Sequence, residues 1–228
     1  MSRLVCIADT HLQHEFELPD GDILVHAGDL TFRGDGPEVA RAAAWLGTLV
    51  PRYKHVVVIA GNHDWLFQRD PATARLLLEE KHITYLEDKA VELDGLKFWG
   101  TPWTPEFMGW AFNLHRGEQL ARRWRCIPDD TQVLVTHGPP LGYLDDVRRH
   151  HQDNYGEYGV ENSPVTTEHV GCADLRARVE ELKQLRLHVF GHIHRPGLEY
   201  DRTGRRFCNA SVINHEYEYR YPPQVIDI

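Results

Sequence analysis

The sequence has no apolar run long enough to cross a membrane, because its hydrophobic segments are only a few residues long. The first of these segments, residues 4–8, is also too short for the core of a secretory signal peptide. Cysteine is scarce as well: the chain has 4 cysteines, which are widely separated and form no C-x-x-C pair. This spacing argues against a disulfide framework and against a zinc–thiolate cluster. We therefore expect reduced thiols, a cytoplasmic location and no membrane partner.

Basic runs are missing too. The chain has 25 Lys and Arg residues against 34 Asp and Glu residues, which gives a formal net charge of -9. A protein that binds extended nucleic acid needs a basic face to displace counterions from the phosphates, so we expect no such partner. Histidine, in contrast, is plentiful at 15 residues, more than solvation of the surface requires. The positions of these histidines along the chain are therefore informative about function.

Short apolar runs rich in β-branched residues recur along the chain, and each of them predicts a buried strand. They occupy residues 4–8, 23–25, 56–60, 133–135 and 187–190. Helical periodicity lies between them, opened by a proline in the first two cases, at about residues 37–50, 70–78 and 175–185. Antiparallel β-hairpins are predicted at residues 89–100 and 198–208.

Strands that alternate with helices indicate an α/β fold, and the hairpins add antiparallel pairing to it. We therefore expect two mixed β-sheets packed as a sandwich, with helices on the outer faces. The chain shows no repeat and no linker, so residues 1–228 are expected to form a single domain. The segment 145–169 is polar and lacks periodicity, which predicts a long functional loop or a mobile segment.

The five predicted strands all end in residues that can bind metal or transfer protons. These residues are Asp9 and His11, Asp29, the run Asn62, His63 and Asp64, then His137, and finally His192 and His194. Ligand sites of α/β sheets lie outside the carboxyl ends of the strands, so these side chains are expected to gather on one rim. A glycine precedes Asp29, Asn62 and His192, as expected where the backbone passes through a crowded centre.

Three carboxylates, one amide oxygen and five imidazoles are thus available, with no sulfur among them. Oxygen and imidazole together are the ligands of Mn²⁺, Fe or Zn²⁺, and there are too many of them for one ion. Two ions about 3.5–4 Å apart, sharing one carboxylate, could hold a bridging hydroxide that attacks phosphorus. Each motif by itself also occurs in ordinary helix caps and turns. The functional signal is therefore that residues of these types follow all five predicted strands.

The motifs D-x-H, G-D, G-N-H-D, a distal H and G-H-x-H, in this order, resemble the signature of the calcineurin-like metallophosphoesterases. The resemblance covers nearly the whole chain. Within that family, the stretches "DILVHAGDLT", "THGPPLGYLD", "HVFGHIH" and "CNASVIN" are similar to the small metallophosphoesterase-domain phosphodiesterases, which are related to class III cyclic-nucleotide phosphodiesterases.

The resemblance implies two divalent or trivalent metal ions, with Mn²⁺ as the first expectation and Fe or Zn²⁺ as alternatives. It assigns the first ion to Asp9, His11, Asp29 and His194, and the second to Asp29, Asn62, His137 and His192. His63 is then expected to sit over the phosphate and to act as a proton donor, with Asp64 orienting its ring. Both are therefore predicted catalytic residues.

Two further features remain open in the sequence. Arg33 follows Asp29 in "GDLTFRG", where it either grips the substrate phosphate or is a surface residue in a glycine-rich turn. Four aromatic residues after the first hairpin are expected to pack in the core, with contact to a nucleobase as the alternative: Trp103, Phe107, Trp110 and Phe112.

The favoured function is hydrolysis of a small phosphodiester, such as a cyclic nucleotide, by attack of a metal-bridging hydroxide. One alternative is a phosphomonoesterase, including a phosphoprotein phosphatase, for which Arg33 is the main support. A second alternative is a scaffold that binds metal without catalysis, although none of the expected ligands is missing from this chain. The expected partner is therefore a small phosphate ester, and the sequence carries no signal for an oligomeric state.

Overall fold

The computed structural model describes residues 1–150 and 165–228. Their strands are β1 (Arg3–Ile7), β2 (Ile23–Ala27), β3 (His55–Ile59), β4 (Thr84–Tyr85), β5 (Lys89–Leu93), β6 (Leu96–Thr101), β7 (Thr104–Pro105), β8 (Asn113–Leu114), β9 (Val133–Thr136), β10 (Asp146–His150), β11 (Val165–His169), β12 (Leu187–Phe190), β13 (Gly197–Tyr200), β14 (Arg206–Asn209) and β15 (Gln224–Asp227). Their helices are α1 (Gly36–Leu49), α2 (Trp65–Arg69), α3 (Pro71–Glu79), α4 (Glu118–Trp124) and α5 (Ala173–Glu181).

Most of the strands belong to two mixed sheets. The first sheet has the order β15-β1-β2-β3-β4, in which β1 to β4 are parallel and β15 is antiparallel to β1. The second has the order β13-β14-β12-β9-β6-β5, with four parallel central strands and an antiparallel strand at each edge. Both edge strands come from the hairpins that the sequence predicts, so the expectation of mixed sheets is confirmed.

The two sheets face each other, and helices cover their outer sides. Strand β3 shows this arrangement, because its side chains point alternately to opposite faces. Val57 and Ile59 join the apolar cluster between the sheets, which also contains Val135 of the second sheet. Val56 and Val58 instead pack with residues of α1 and α3 on the outer face. Helices α4 and α5 cover the other sheet in the same way, which confirms the predicted sandwich with outer helices.

Helices α1 and α3 begin within one residue of the positions that their sequences predict. Asp35 caps α1 by accepting the N–H of Glu38 at 2.9 Å, with Pro37 in the first turn. Asp70 caps α3 by accepting the N–H of Thr73 at 3.2 Å, and Pro71 follows it directly. A side-chain acceptor followed by proline is thus a reliable start signal at both places.

Several elements differ from the sequence-based expectation: strands β4, β7, β8 and β15 are not predicted, and α5 ends at Glu181, before the predicted end at about residue 185. Helices α2 and α4 are not predicted, because their 5 and 7 residues are too few to show helical periodicity. The polar segment 145–169 is not a loop throughout, since β10 and β11 pair with each other as an antiparallel ribbon at its two ends. Residues 151–164, between these strands, lie outside the described residues.

Within the described residues, no helix is both long and apolar enough to span a membrane. The feature that matters for function is the direction of the central strands. Strands β1, β2 and β3 of the first sheet and β9 and β12 of the second all lead into the residues that the sequence singles out as ligands. The fold therefore delivers functional side chains from both sheets.

Candidate metal centre

The carboxyl ends of five strands meet at one edge of the sandwich: β1, β2, β3, β9 and β12. Three groups of side chains there have their possible ligand atoms within 4.8 Å of one another. The groups are Asp9–His11–His194, His11–Asp29–His63 and Asp9–Asp29–His137. Residues separated by up to 185 positions in sequence are thus brought together, as the strand-end pattern predicts.

Two further candidate ligands adjoin these groups. Asn62 Oδ1 lies 2.8 Å from His137 Nε2. The ring centroid of His192 lies 5.0 Å from that of His137. The backbone N–H of His192 also donates to both carboxylate oxygens of Asp9 at 3.0 Å. The seven candidate ligands from the sequence therefore occupy one connected cluster.

Asp29 lies at the middle of this cluster. Its Oδ2 is 3.5 Å from His11 Nε2 and 3.3 Å from His137 Nε2. Its Oδ1 accepts the backbone N–H of His63 at 2.8 Å. One carboxylate oxygen thus faces a histidine from each sheet, so it could be shared between two ions.

Main-chain carbonyl groups hold four of the imidazoles through Nδ1. The donor and acceptor pairs are His11 with Thr31 (2.8 Å), His63 with Phe32 (2.8 Å), His137 with Ala27 (2.9 Å) and His194 with Asn214 (3.0 Å). Because a carbonyl oxygen can only accept, Nδ1 carries the proton and a neutral ring keeps its lone pair on Nε2. This is the tautomer of a histidine that binds metal through Nε2.

Two of these Nε2 atoms show that the donor set fits a cation. With the amide of Asn62 in this orientation, a neutral His137 and Asn62 Oδ1 point lone pairs at each other across 2.8 Å. Such lone pairs repel unless a proton or a cation lies between them. His11 Nε2 is buried and has no hydrogen-bond partner among the described residues, which costs free energy in the absence of a ligand. Carboxylate, amide and imidazole are also the ligand types of Mn²⁺, Fe and Zn²⁺.

Burial and charge set the protonation states of the cluster. Burial lowers the pKa of His11 to about 4 and that of His192 to about 3, so both rings are neutral at neutral pH. Burial also opposes the protonation of His137, but the Asp29 carboxylate outweighs it and raises the pKa of His137 to about 9. A metal ion that binds to His137 therefore has to displace a proton.

The backbone is strained at four of the candidate ligands. The φ angle is 56° at Asp9, 42° at His11, 56° at Asp29 and 67° at His192. L-residues rarely adopt this left-handed conformation, and strained residues of this kind concentrate at functional sites. The strand ends are thus bent away from regular geometry at the positions where ligands are required.

The glycines before Asp29, Asn62 and His192 make room for the ligands of neighbouring strands. A Cβ on Gly61 would lie 2.3 Å from Asp29 Oδ1, and one on Gly191 would lie 2.6 Å from Asp9 Oδ2. At Gly28 the φ angle is 95°, and a Cβ would lie 2.7 Å from His137 Nδ1. These distances agree with the crowded centre expected from the sequence.

The structure corrects the predicted partner of the His63 ring. Asp64 does not orient it, because its buried carboxylate is taken by the N–H groups of Leu30, Thr31 and Gly61 and by the Thr31 hydroxyl. The carbonyl of Phe32 holds His63 Nδ1 instead. Burial and the nearby Asp29 raise the pKa of Asp64 to about 6. Asp64 thus ties together the turns that follow β2 and β3.

The aromatic residues after the first hairpin have different positions. Trp110 stacks on His63, with ring centroids 4.1 Å apart and an interplanar angle of 26°. Phe112 is buried in the core, as expected, whereas Phe107 is exposed. Trp103 is partly buried and packs against the core, and its indole N–H donates to Asp88 at 2.9 Å. Of the four, Trp110 is therefore the one that contacts the site.

Several site residues carry no sequence signal. Thr31 and Phe32 contribute through their carbonyl groups, which any residue could provide. Tyr217 packs against His11, with ring centroids 5.0 Å apart, from a loop that contains no ligand motif. Arg33 is exposed beside Phe32. Arg33 is related to the centre by its position in the chain, next to Phe32, whose carbonyl holds His63.

Comparisons with known proteins agree with this geometry. The sequence model described as calcineurin-like phosphoesterase matches residues 2–196. Metallophosphoesterase domain-containing protein 1 of Homo sapiens is 38% identical over 250 aligned positions, which cover 100% of this chain and 71% of that protein. The Mus musculus protein of the same name matches equally well. In Caenorhabditis elegans, UPF0046 protein K07C11.7 is 36% identical over 239 positions, which cover 99% of this chain and 75% of that protein.

Among solved structures, the protein TT1561 of Thermus thermophilus superposes with a TM-score of 0.57 at 13% sequence identity. The superposition covers 91% of this chain and 88% of that protein. At this identity the likeness concerns the fold alone, and it agrees with the two mixed sheets described above.

Proposed function

This chain belongs to the calcineurin-like phosphoesterase family, and from that premise we propose that it is a binuclear metal-dependent phosphodiesterase. Its proposed substrate is a small phosphodiester such as a cyclic nucleotide. The family assignment confirms the resemblance seen in the motifs, and it makes the chain a metal-dependent phosphoesterase with a phosphate ester as substrate. The preference for a diester is the proposal.

The observation that carries this proposal is the position of Asp29. A carboxylate oxygen that faces His11 on one side and His137 on the other, within 3.5 Å of both Nε2 atoms, can serve two ions at once. The first ion is assigned to Asp9, His11, Asp29 and His194, and the second to Asp29, Asn62, His137 and His192. When bound, such a pair supplies hydroxide at neutral pH and neutralises charge on the phosphoryl oxygens. We propose Mn²⁺ for both positions in vitro.

His63 is the proposed proton donor to the leaving group. Its Nδ1 is occupied by the Phe32 carbonyl, so proton transfer has to take place at Nε2. Trp110 stacks on one face of the ring and restricts its rotation. A fixed ring with one available nitrogen is suited to delivering a proton to the alkoxide that departs from phosphorus.

Arg33 is proposed to contact the substrate phosphate from the rim. Its guanidinium is exposed, and its backbone is fixed because the N–H donates to Glu38 Oε2 at 2.6 Å. A planar guanidinium can donate to two phosphate oxygens at once and is weakly hydrated, which suits it to this contact. This role would raise affinity for the more highly charged monoesters as well as for diesters.

Two wider proposals accompany this function. Residues 1–228 are proposed to form one metallophosphoesterase domain, since the ligands come from strands spread over nearly the whole chain. A cytoplasmic location is proposed because all four cysteines are free, which suits a reducing compartment.

The test is an assay of purified protein, stripped of metal and reloaded with Mn²⁺, on bis(p-nitrophenyl) phosphate and on p-nitrophenyl phosphate. The proposal predicts metal-dependent turnover with higher kcat/KM on the diester. A higher kcat/KM on the monoester would replace the proposal with a phosphomonoesterase. No turnover of either substrate with two ions bound per chain would indicate a metal-binding scaffold.

A further inference from the structure

The ring of Tyr217 lies over the candidate metal centre. Its centroid is 5.0 Å from that of His11, 5.2 Å from that of His194 and 6.1 Å from that of His63, and the rings meet at steep angles in all three pairs. The residue is nevertheless 37% exposed. It therefore stands at the entrance to the centre, where a substrate would meet it, and not in the core.

A hydrogen-bonded loop fixes this ring relative to the ligands. The carbonyl of Asn214 accepts the N–H of Tyr217 at 3.1 Å, and the same carbonyl holds His194 Nδ1. Gln13, two residues after His11, donates to the Tyr217 carbonyl and accepts the N–H of Tyr219 at 2.9 Å. The loop is thus bonded to two of the three segments that carry candidate ligands of the first ion, those of His11 and His194.

The backbone of Tyr217 is strained in this position. Its φ angle is 62°, in the left-handed region that bulky side chains avoid. Strain of this kind persists where surrounding hydrogen bonds enforce it, and it is concentrated at functional sites. The loop therefore holds this particular side chain over the centre instead of turning it out to solvent.

The hydroxyl group of Tyr217 is not explained by packing. Among residues 1–150 and 165–228 it has no hydrogen-bond partner, and phenylalanine would pack against the three imidazoles equally well. Because the ring contacts three imidazoles of the centre, its hydroxyl is available to a phosphate ester bound there.

We propose that Tyr217 is a substrate-contact residue whose phenol hydroxyl donates a hydrogen bond to a non-bridging oxygen of the phosphate ester. The inference rests on the proposed function, because it requires a phosphate ester at the metal centre. His63 and Tyr217 both contact the ring of His11, with centroid distances of 4.6 Å and 5.0 Å, so they flank the same position. His63 then serves the leaving oxygen, while Tyr217 serves an oxygen that stays on phosphorus.

This division of roles has a measurable consequence. A hydrogen bond to a charged phosphoryl oxygen contributes about 1.5–3 kcal/mol, which corresponds to about tenfold or more in affinity. Because the oxygen stays on phosphorus, loss of the hydroxyl should affect good and poor leaving groups by the same factor. Loss of the His63 imidazole should instead affect poor leaving groups more than good ones.

The experiment compares the Tyr217→Phe variant with the wild-type protein, both loaded with Mn²⁺. The dissociation constant of inorganic phosphate, measured by isothermal titration calorimetry, is expected to rise about tenfold while the metal content stays the same. The kcat/KM values on bis(p-nitrophenyl) phosphate and on a cyclic nucleotide are expected to fall by equal factors. Tyr219→Phe is the matched control, since Tyr219 belongs to the same loop but stacks on Phe16 with centroids 4.7 Å apart.

The outcomes separate this inference from the proposed function. If the wild-type protein hydrolyses diesters and Tyr217→Phe binds phosphate as tightly as Tyr219→Phe does, the contact is wrong and the function stands. Loss of metal from Tyr217→Phe would make the residue a support for His11 and His194, which also overturns the inference. If the wild-type protein hydrolyses no phosphate ester, the proposed function is wrong, and the inference that rests on it is wrong as well.

Discussion

Asp29 is the residue on which the binuclear assignment depends. Its Oδ2 lies between His11 and His137, so the change Asp29→Asn would turn an amide toward two histidines and remove the shared negative charge. We expect fewer than two Mn²⁺ ions per chain and a loss of activity of roughly two orders of magnitude or more. Metal content by mass spectrometry and kcat on a diester would be measured together.

The control for this change is His11→Ala, which removes a ligand of one ion only. It should retain more metal and more activity than Asp29→Asn. Two ions per chain with near-normal turnover in Asp29→Asn would show that the two ions do not share this carboxylate.

His63 can be examined through the leaving group. A general acid contributes most when the departing oxygen is strongly basic, as in a ribose alkoxide, and least for a nitrophenolate. We expect His63→Ala to lower kcat/KM by about 10²–10⁴-fold on a cyclic nucleotide and far less on a nitrophenyl diester, with both ions retained. Loss of one ion would instead identify His63 as a ligand, because it shares a cluster with His11 and Asp29.

The candidate ligands could be read from the sequence, but their contacts and the residues that hold them could not. Residues such as Asp29 and His137 are recognisable because they directly follow buried strands, and the carboxyl ends of such strands define the site. The Nδ1–H of His63 donates to a main-chain carbonyl, and because every residue has such a carbonyl, this contact cannot be predicted from the sequence. Adjacency along the chain favours Asp64 for that role, yet Asp64 faces the turn at Gly61, with the N–H of Gly61 2.7 Å from its Oδ2.

At the scale of single elements, the glycine at the end of β3 sets how closely the strands approach. Gly61→Ala would place a Cβ 2.3 Å from Asp29 Oδ1 and 2.7 Å from His137 Cε1. Because both neighbours are fixed, we expect weaker Mn²⁺ binding and a lower Tm in the metal-free protein. Gly36→Ala is the control, since a Cβ there meets nothing within 4 Å.

Calorimetric Mn²⁺ binding and thermal unfolding would be compared for the two glycine variants. Equal affinity and equal Tm would show that the strand ends relax easily, and that glycine is not required at this position.

The elements themselves were predictable where their pattern is long or repeated. Each of the five strands that lead into candidate ligands appears as a short apolar run, and the starts of α1 and α3 are marked by Pro37 and by Asp70 with Pro71. Elements α2 and α4 are too short for a period to emerge, and tertiary packing decides their conformation. The pairing of β10 with β11 depends on contacts between distant residues, which the polar sequence of that segment does not reveal.

At the scale of the whole molecule, the centre joins the two sheets. Asp9, Asp29 and Asn62 follow strands of the first sheet, whereas His137 and His192 follow strands of the second. Ions bound by both sets act as links across the sandwich, and ligands that bind only the folded state stabilise it by mass action. The molecule therefore couples its function to its stability.

The stability of the metal-free protein should also depend on pH through two histidines outside the ligand set. His26 and His188 lie inside β2 and β12, and each bonds through Nε2 to a threonine next to a candidate ligand, at 2.9 Å and 2.8 Å. In both rings Nδ1 is buried without a hydrogen-bond partner among the described residues. A proton on that nitrogen would have no acceptor.

For His188 this arrangement gives a definite sign. Burial lowers its pKa from 6.5 to about 3, so between these pH values the unfolded chain binds a proton that the folded protein excludes. The free energy of unfolding must therefore fall as the pH drops below 6.5, by roughly 2 kcal/mol at pH 5 for one such histidine. His188→Gln retains an amide that can donate to Thr136 but has no proton to gain. Urea unfolding in EDTA at pH 7 and pH 5 should show a smaller loss of stability for this variant than for the wild-type protein. An equal loss in both proteins would mean that His188 is not excluded from protonation in the folded state.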